Sequence, residues 1–213
     1  MAAYYATKKA CEPLQLIYNY KDHNVYAVNE GKESMDVVAT VKIYDADSKL
    51  IDEQSRTFSS AYRKTVKAFD LNSFQGTAHF VALELADADG RFIADNFYCI
   101  GAKPNVYDWE DYTWYYTPVV EFTDLSFAFA QPEADIQMTV EAQDGKYTIT
   151  LVNNSAVISY MNILKAKDAD GELVVPAFWS DNFFPLLPGQ TKTVTCRADV
   201  KAIIHSLEKV ITI

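Results

Sequence analysis

The sequence predicts an all-β protein: two immunoglobulin-like β-sandwich domains in tandem, joined by an extended, aromatic-rich linker. Three observations carry this. Apolar and polar side chains alternate with period two, most clearly where Val37, Ala39, Val41 and Ile43 share one face and Asp36, Thr40 and Lys42 the other. Short runs of this kind recur along the chain, each bounded by Asn, Asp, Gly or Ser. Between two sets of such runs lies one stretch, Ala102 to Phe122, with a composition found nowhere else in the chain.

Taken in order, the elements start with Tyr4–Cys11, which reads as the last turns of a helix whose beginning is missing, behind a Met-Ala-Ala start that suits an excised piece. The spacing then predicts strands near Leu14–Tyr20, Val25–Asn29, Val37–Ile43, Gln54–Ser59, Arg63–Phe69, His79–Ala86 and Phe92–Ile100. Seven strands are the complement of an immunoglobulin-like sandwich, placed at 12–101. The linker occupies 102–119. Strands resume near Ile136–Ala142, Tyr147–Asn153, Met161–Lys167, Leu173–Ala177, Thr191–Arg197 and Val210–Ile213, giving a second sandwich at 120–213, with Asp199–Leu207 a candidate helical turn. Inward positions should include Val37, Ala39, Val41, Ile43, Val81, Leu83, Phe97, Ile149, Leu151, Ile163 and Val194.

Three segments read alike: YDADSKLI from Tyr44, LADADGRFI from Leu85 and AKDADGELV from Ala166. Each sets a D-A-D-(G/S) turn between apolar strands, where the last residue supplies the positive φ of a tight hairpin. Alternating Asp residues can also chelate calcium, but a calcium loop needs further oxygen ligands and typically a distal Glu. The hairpin is the stronger reading.

Composition narrows the function classes. Of 213 residues, 49% are hydrophobic and 14% aromatic, enough to build cores. A formal charge of -10 disfavours nucleic acid and anionic membrane surfaces, and no apolar run reaches the ~18–20 residues of a membrane-spanning helix. Cys11, Cys99 and Cys196 are too few and scattered for a disulfide framework or a metal site. A Cys11–Cys99 bond is conceivable, with free, mostly buried thiols favoured over it.

The linker packs Tyr107, Trp109, Tyr112, Trp114, Tyr115 and Tyr116 into ten positions between Pro104 and Pro118. The prolines disfavour helix and central strand, and a flexible tether would be rich in Gly and Ser. Packing of the rings against neighbouring domains is the favoured reading, with Trp109 or Trp114 wedged between domains. Sugar stacking on Trp109, Tyr112, Trp114 and Tyr115, with Asp108, Glu110 and Asp111 bonding hydroxyls, is the alternative. Trp179, flanked by Phe178, Phe183 and Phe184, raises the same choice between a core ring and a carbohydrate contact in the second domain.

Catalytic signals are weak. A glycosidase needs two carboxyl groups about 5–9.5 Å apart, and Glu84 has only alanines, Ala82 and Ala86, as same-face neighbours on its strand. His23, His79 and His205 show no metal-ligand spacing. No nucleophile elbow, phosphate loop or dinucleotide fingerprint occurs. No catalytic residue, metal or cofactor is expected.

The runs ACEPLQLIYNYKDHNVYAVN, DNFYCIGAKPNVYDWEDYTWYYTP and PAFWSDNFFPLLPGQTKTVT resemble, in this order, the C-terminal region of glycoside hydrolase family 2 in its β-mannosidase and exo-β-glucosaminidase branch. The resemblance covers nearly the whole chain. It implies that Tyr4–Cys11 is the tail of the last helix of an upstream (β/α)8 catalytic barrel, and that two accessory immunoglobulin-like domains follow and brace it. The implied partners are that barrel and an oligosaccharide at its rim. The family's catalytic glutamates lie in the barrel and match nothing here. A free-standing carbohydrate-binding or adhesion protein of tandem sandwiches is the alternative.

Overall fold

The computed structural model describes residues 2–198 and 203–206. It divides into two compact units, one of Lys9–Ala128 and one of Met1–Lys8 with Phe129–Ile213. The helical signal at the start is realised as α1 (Ala2–Ala10).

The first unit carries β1 (Leu14–Asn19), β2 (Asn24–Asn29), β3 (Met35–Asp45), β4 (Leu50–Ser60), β5 (Lys64–Asp70), β6 (His79–Asp87), β7 (Phe92–Ile100), β8 (Val106–Tyr107) and β9 (Val119–Glu121). Its first seven strands form two antiparallel sheets ordered β1-β2-β5 and β4-β3-β6-β7, so the chain crosses between sheets after β2, β4 and β5. This is the immunoglobulin-like sandwich that the strand count predicts.

Alternation sets its core. Val37, Ala39, Val41 and Ile43 of β3 are fully buried, and the last three pair with Leu85, Leu83 and Val81 of β6. Leu14, Leu16, Val25, Ala27 and Phe69 close the core from the other sheet. Phe97 departs from expectation. Its partner on β6 is Ala82, so it lies on the outer face, stacked on Phe80 at 5.6 Å between ring centroids. Phe127, in the short helix α2 (Ser126–Phe129) that sequence reading passed over, lies 4.9 Å from Phe80. This second apolar cluster breaks the rule of polar outer faces, so alternation alone assigned Phe97 to the wrong side.

The second unit carries β10 (Ile136–Gln143), β11 (Lys146–Asn153), β12 (Ser159–Asn162), β13 (Leu164–Lys167), β14 (Phe178–Trp179), β15 (Phe184–Leu186), β16 (Thr191–Arg197) and β17 (Ile203–Ser206). A four-stranded sheet β10-β11-β16-β14 accompanies the pairs β12-β15 and β13-β17. Its core gathers Tyr147, Ile149, Leu151, Leu164, Phe184, Leu186 and Val194, and the ring of Tyr5 of α1 lies tilted against Phe183, centroids 5.9 Å apart.

Three expectations fail here. The strand expected over Met161–Lys167 is split at Ile163: Met161 takes a positive φ of 58°, Asn162 turns inward, and Leu164 rather than Ile163 reaches the core. Leu173–Ala177 forms no strand and makes only an isolated bridge from Leu173 to Lys167. Within the expected turn at Asp199–Leu207, the described residues Ile203–Ser206 extend as a strand against β13, as two adjacent β-branched isoleucines favour. The strand expected at Val210–Ile213 lies outside the described residues.

The three D-A-D segments are one device used three times. Asp45, Asp87 and Asp168 each accept two backbone N–H bonds on Oδ1, from Asp47 and Lys49, Asp89 and Arg91, and Asp170 and Glu172, at 2.8–3.0 Å. The positive φ falls on Ser48, Gly90 and Gly171. A second device is also repeated. Asn29 and Asn153, ending β2 and β11, are buried. Asn29 Nδ2 donates to the carbonyls of Glu33 and Ser60, and Asn153 Nδ2 to those of Val157 and Leu186. Each Oδ1 accepts the N–H two residues on, from Gly31 and Ser155.

Candidate functional site

The aromatic segment is extended at both ends, as its prolines suggest, and those ends pair with each other. Val106 opposes Glu121 and Tyr107 opposes Val119, the Asp108 N–H donates to the Pro118 carbonyl at 2.9 Å, and Thr113 bridges Tyr116 across the tip. The linker is therefore a hairpin arm. Its base is closed by the Thr123 N–H donating to Asn105 Oδ1 at 2.7 Å, and by Gly101, where a Cβ would meet Thr123 Oγ1 at 2.1 Å. Only glycine leaves room for the returning chain.

The arm brings together four of the sequence-selected rings. Trp109 sits near its base with Tyr107, centroids 5.6 Å apart and tilted by 46°. Trp114 and Tyr115 form the tip, 5.1 Å apart and nearly perpendicular at 79°. All of Tyr107, Trp109, Tyr112, Trp114, Tyr115 and Tyr116 are exposed, from 41% at Tyr107 to 92% at Trp114. Trp109 and Trp114 are 68% and 92% exposed, so neither ring belongs to the core of the first sandwich. Asp108 Oδ1 accepts the N–H groups of Glu110 and Asp111 at 2.9 and 3.1 Å, so that oxygen shapes the turn. Glu110 and Asp111 are exposed.

Trp179 belongs to the other unit. It lies partly buried against that unit's core and pairs with Cys196 in the sheet. Its neighbour Phe178 is exposed, with the Arg197 guanidinium 5.1 Å above its ring.

Elsewhere, the titratable groups that depart from ordinary values have structural causes. Hydrogen bonds from Tyr26, Lys67 and Ser126 hold the carboxyls of Asp22, Asp70 and Asp124 below the usual range, the opposite of what a general acid requires. Burial pushes the Tyr18 hydroxyl up to about 12, and it lies 2.6 Å from His23 Nδ1, a contact that sequence reading missed because Tyr18 and His23 flank a turn. Cys11 and Cys99 form no disulfide with each other; Cys11 is exposed and Cys196 buried. Among the described residues no three His, Cys, Asp or Glu side chains gather as a metal site.

Comparison with known proteins follows the two-part architecture. Residues 21–101 match the family described as mannosidase Ig/CBM-like domain, and residues 114–212 the exo-beta-D-glucosaminidase Ig-fold domain. An exo-beta-D-glucosaminidase of Amycolatopsis orientalis is 30% identical over 214 residues, taking in 93% of this chain and 21% of that protein. One from Arthroderma benhamiae is 28% identical over 221 residues, with 98% and 25% covered. The crystal structure of Amycolatopsis orientalis exo-chitosanase CsxA superposes with a TM-score of 0.84 at 26% identity, covering 96% of this chain and 27% of its own. A beta-D-mannosidase from Dictyoglomus thermophilum gives 0.67 at 18% identity over 99% of this chain and 24% of its own, which supports the fold alone. The chain thus spans about a quarter or less of the length of these curated relatives. With one module matching each description in tandem, the chain belongs to the immunoglobulin-fold domains of the exo-β-glucosaminidase and mannosidase branch of glycoside hydrolase family 2.

Proposed function

We propose that the chain supplies non-catalytic accessory modules of an exo-β-glucosaminidase, bracing the catalytic domain that carries the hydrolytic carboxylates. One observation carries the reading: relatives named exo-β-D-glucosaminidase align along 93% and 98% of the chain, yet the aligned part is only 21% and 25% of each. The carboxylates within the chain favour the same reading. The leading Asp of each D-A-D turn is committed to backbone N–H groups, and the shifted ones move away from the range of a general acid. Glucosaminides are preferred over mannosides as substrate of the whole enzyme, because the mannosidase likeness over the whole chain is at the level of fold.

The test is hydrolysis of p-nitrophenyl β-D-glucosaminide and β-D-mannoside by the purified chain and by the complete polypeptide its gene encodes. The chain alone should release no p-nitrophenol, and the complete polypeptide should hydrolyse the glucosaminide. Turnover by the chain alone that disappears when one of its own Asp or Glu residues is replaced would overturn the non-catalytic role.

A further inference from the structure

We infer that the hairpin arm from Val106 to Glu121 is a docking element that seats these modules on the catalytic domain of the polypeptide, against a surface that is apolar and rimmed by Lys or Arg. The inference rests on the accessory-module reading and names the contact through which it operates.

The first argument is area. A full aromatic side chain carries about 150–250 Å², so six rings exposed to this degree leave on the order of 800 Å² in water. The largest apolar patch on a monomer is about 300–600 Å², whereas one side of a standard protein interface is about 800 Å². The arm therefore exceeds what a free surface carries and matches what a protein partner covers.

Charge is the second argument. The arm holds Asp108, Glu110, Asp111 and Glu121, and no Lys or Arg occurs between Lys103 and Lys146. An aromatic arm whose charged side chains are all carboxylates complements an apolar surface with a cationic border.

Geometry separates this partner from a sugar. A stacking platform needs free, roughly coplanar ring faces with polar groups converging beside them. Here Trp114 and Tyr115 stand edge to face, Tyr107 and Trp109 are tilted against each other, and Asp108 turns one oxygen to its own backbone. The base of the arm is meanwhile held by the ladder and by the Thr123–Asn105 bond, so little ordering is left to occur on docking.

Hydroxyl-radical footprinting read by mass spectrometry tests the assignment, comparing the 213-residue chain with the complete polypeptide. In the chain alone, Trp109 and Trp114 should oxidise at the rate of exposed tryptophan. In the complete polypeptide their oxidation should be about tenfold slower, as in a water-excluding interface core. Trp114→Ser combined with Tyr115→Ser should lower the melting temperature of the complete polypeptide and leave that of the chain alone unchanged. If the complete polypeptide hydrolyses glucosaminides while both tryptophans stay as reactive as in the chain alone, docking is refuted and the accessory reading stands. A complete polypeptide without a catalytic domain sinks both. Protection that appears only on adding chitosan oligosaccharide assigns the rings to sugar and overturns the docking assignment.

Discussion

His79 opens β6 with its imidazole buried: Nδ1 lies 2.8 Å from the Thr77 carbonyl, and Nε2 is a buried atom with no hydrogen-bond partner among the described residues. Burial holds its pKa below the ordinary histidine value, the Thr77 carbonyl partly offsetting this and the nearby His23 adding to it. The folded state therefore favours neutral His79, while the unfolded chain takes up a proton near pH 6.5. Its contribution to stability is fully present above about pH 6.5 and declines as the pH falls from there toward the folded value. Each tenfold difference in proton affinity is worth about 1.4 kcal/mol. Urea midpoints at pH 7.5, 6.5 and 5.5 should fall in this order for the native chain and fall less for His79→Gln; equal slopes would remove His79 as the cause. None of this was legible in the sequence, because a histidine at a strand start gives no sign of what lies over it. Phe97 and Ile163 teach the same limit. Alternation assigns a face only when the far face is solvent and the strand unbroken, and Phe127 over Phe80 spoils the first condition as the kink at Met161 spoils the second.

At the scale of elements, the equivalent buried asparagines at the ends of β2 and β11 lock the chain locally. Each satisfies three backbone groups from a buried side chain, tying its strand end to the loop that follows and to a distant carbonyl. Replacement by alanine strands these groups, so Asn29→Ala and Asn153→Ala should each cost about 2–3 kcal/mol. Hydrogen exchange locates the loss: protection should fall in β2 and β5 for the first and in β11 and β16 for the second, and uniform loss in both sandwiches would contradict the local role. The strands of the first sandwich were readable because each has one buried and one wetter face and is bounded by turn residues. In the second sandwich the two- to four-residue strands β12, β14, β15 and β17 are too short for a period to register. The arm was visible as a composition but not as a hairpin, since its pairing spans residues 106–121 without an Asn-Gly or Asp-Gly tip.

The whole molecule carries 29 acidic against 19 basic residues, and like charges at this excess repel in the compact state. Because the Debye length shrinks from about 30 Å at 0.01 M salt to about 8 Å at 0.15 M, the melting temperature should rise over that range. Differential scanning calorimetry checks this, and a flat or falling trend would mean that local ion pairs such as Lys67–Asp70 outweigh the general repulsion. At this scale the sequence was most informative: tandem sandwiches and the branch of their family followed from strand count and three idiosyncratic runs. The crossing of Thr123 over Gly101 has a consequence of another kind. Since the chain after the arm returns to Gly101, where the arm begins, everything between is a cassette with abutting ends. Its tip can be trimmed, lengthened or exchanged without shifting the register of β7. An engineer could graft a different recognition loop at that junction, and drift could rewrite it at little expense to the fold beneath.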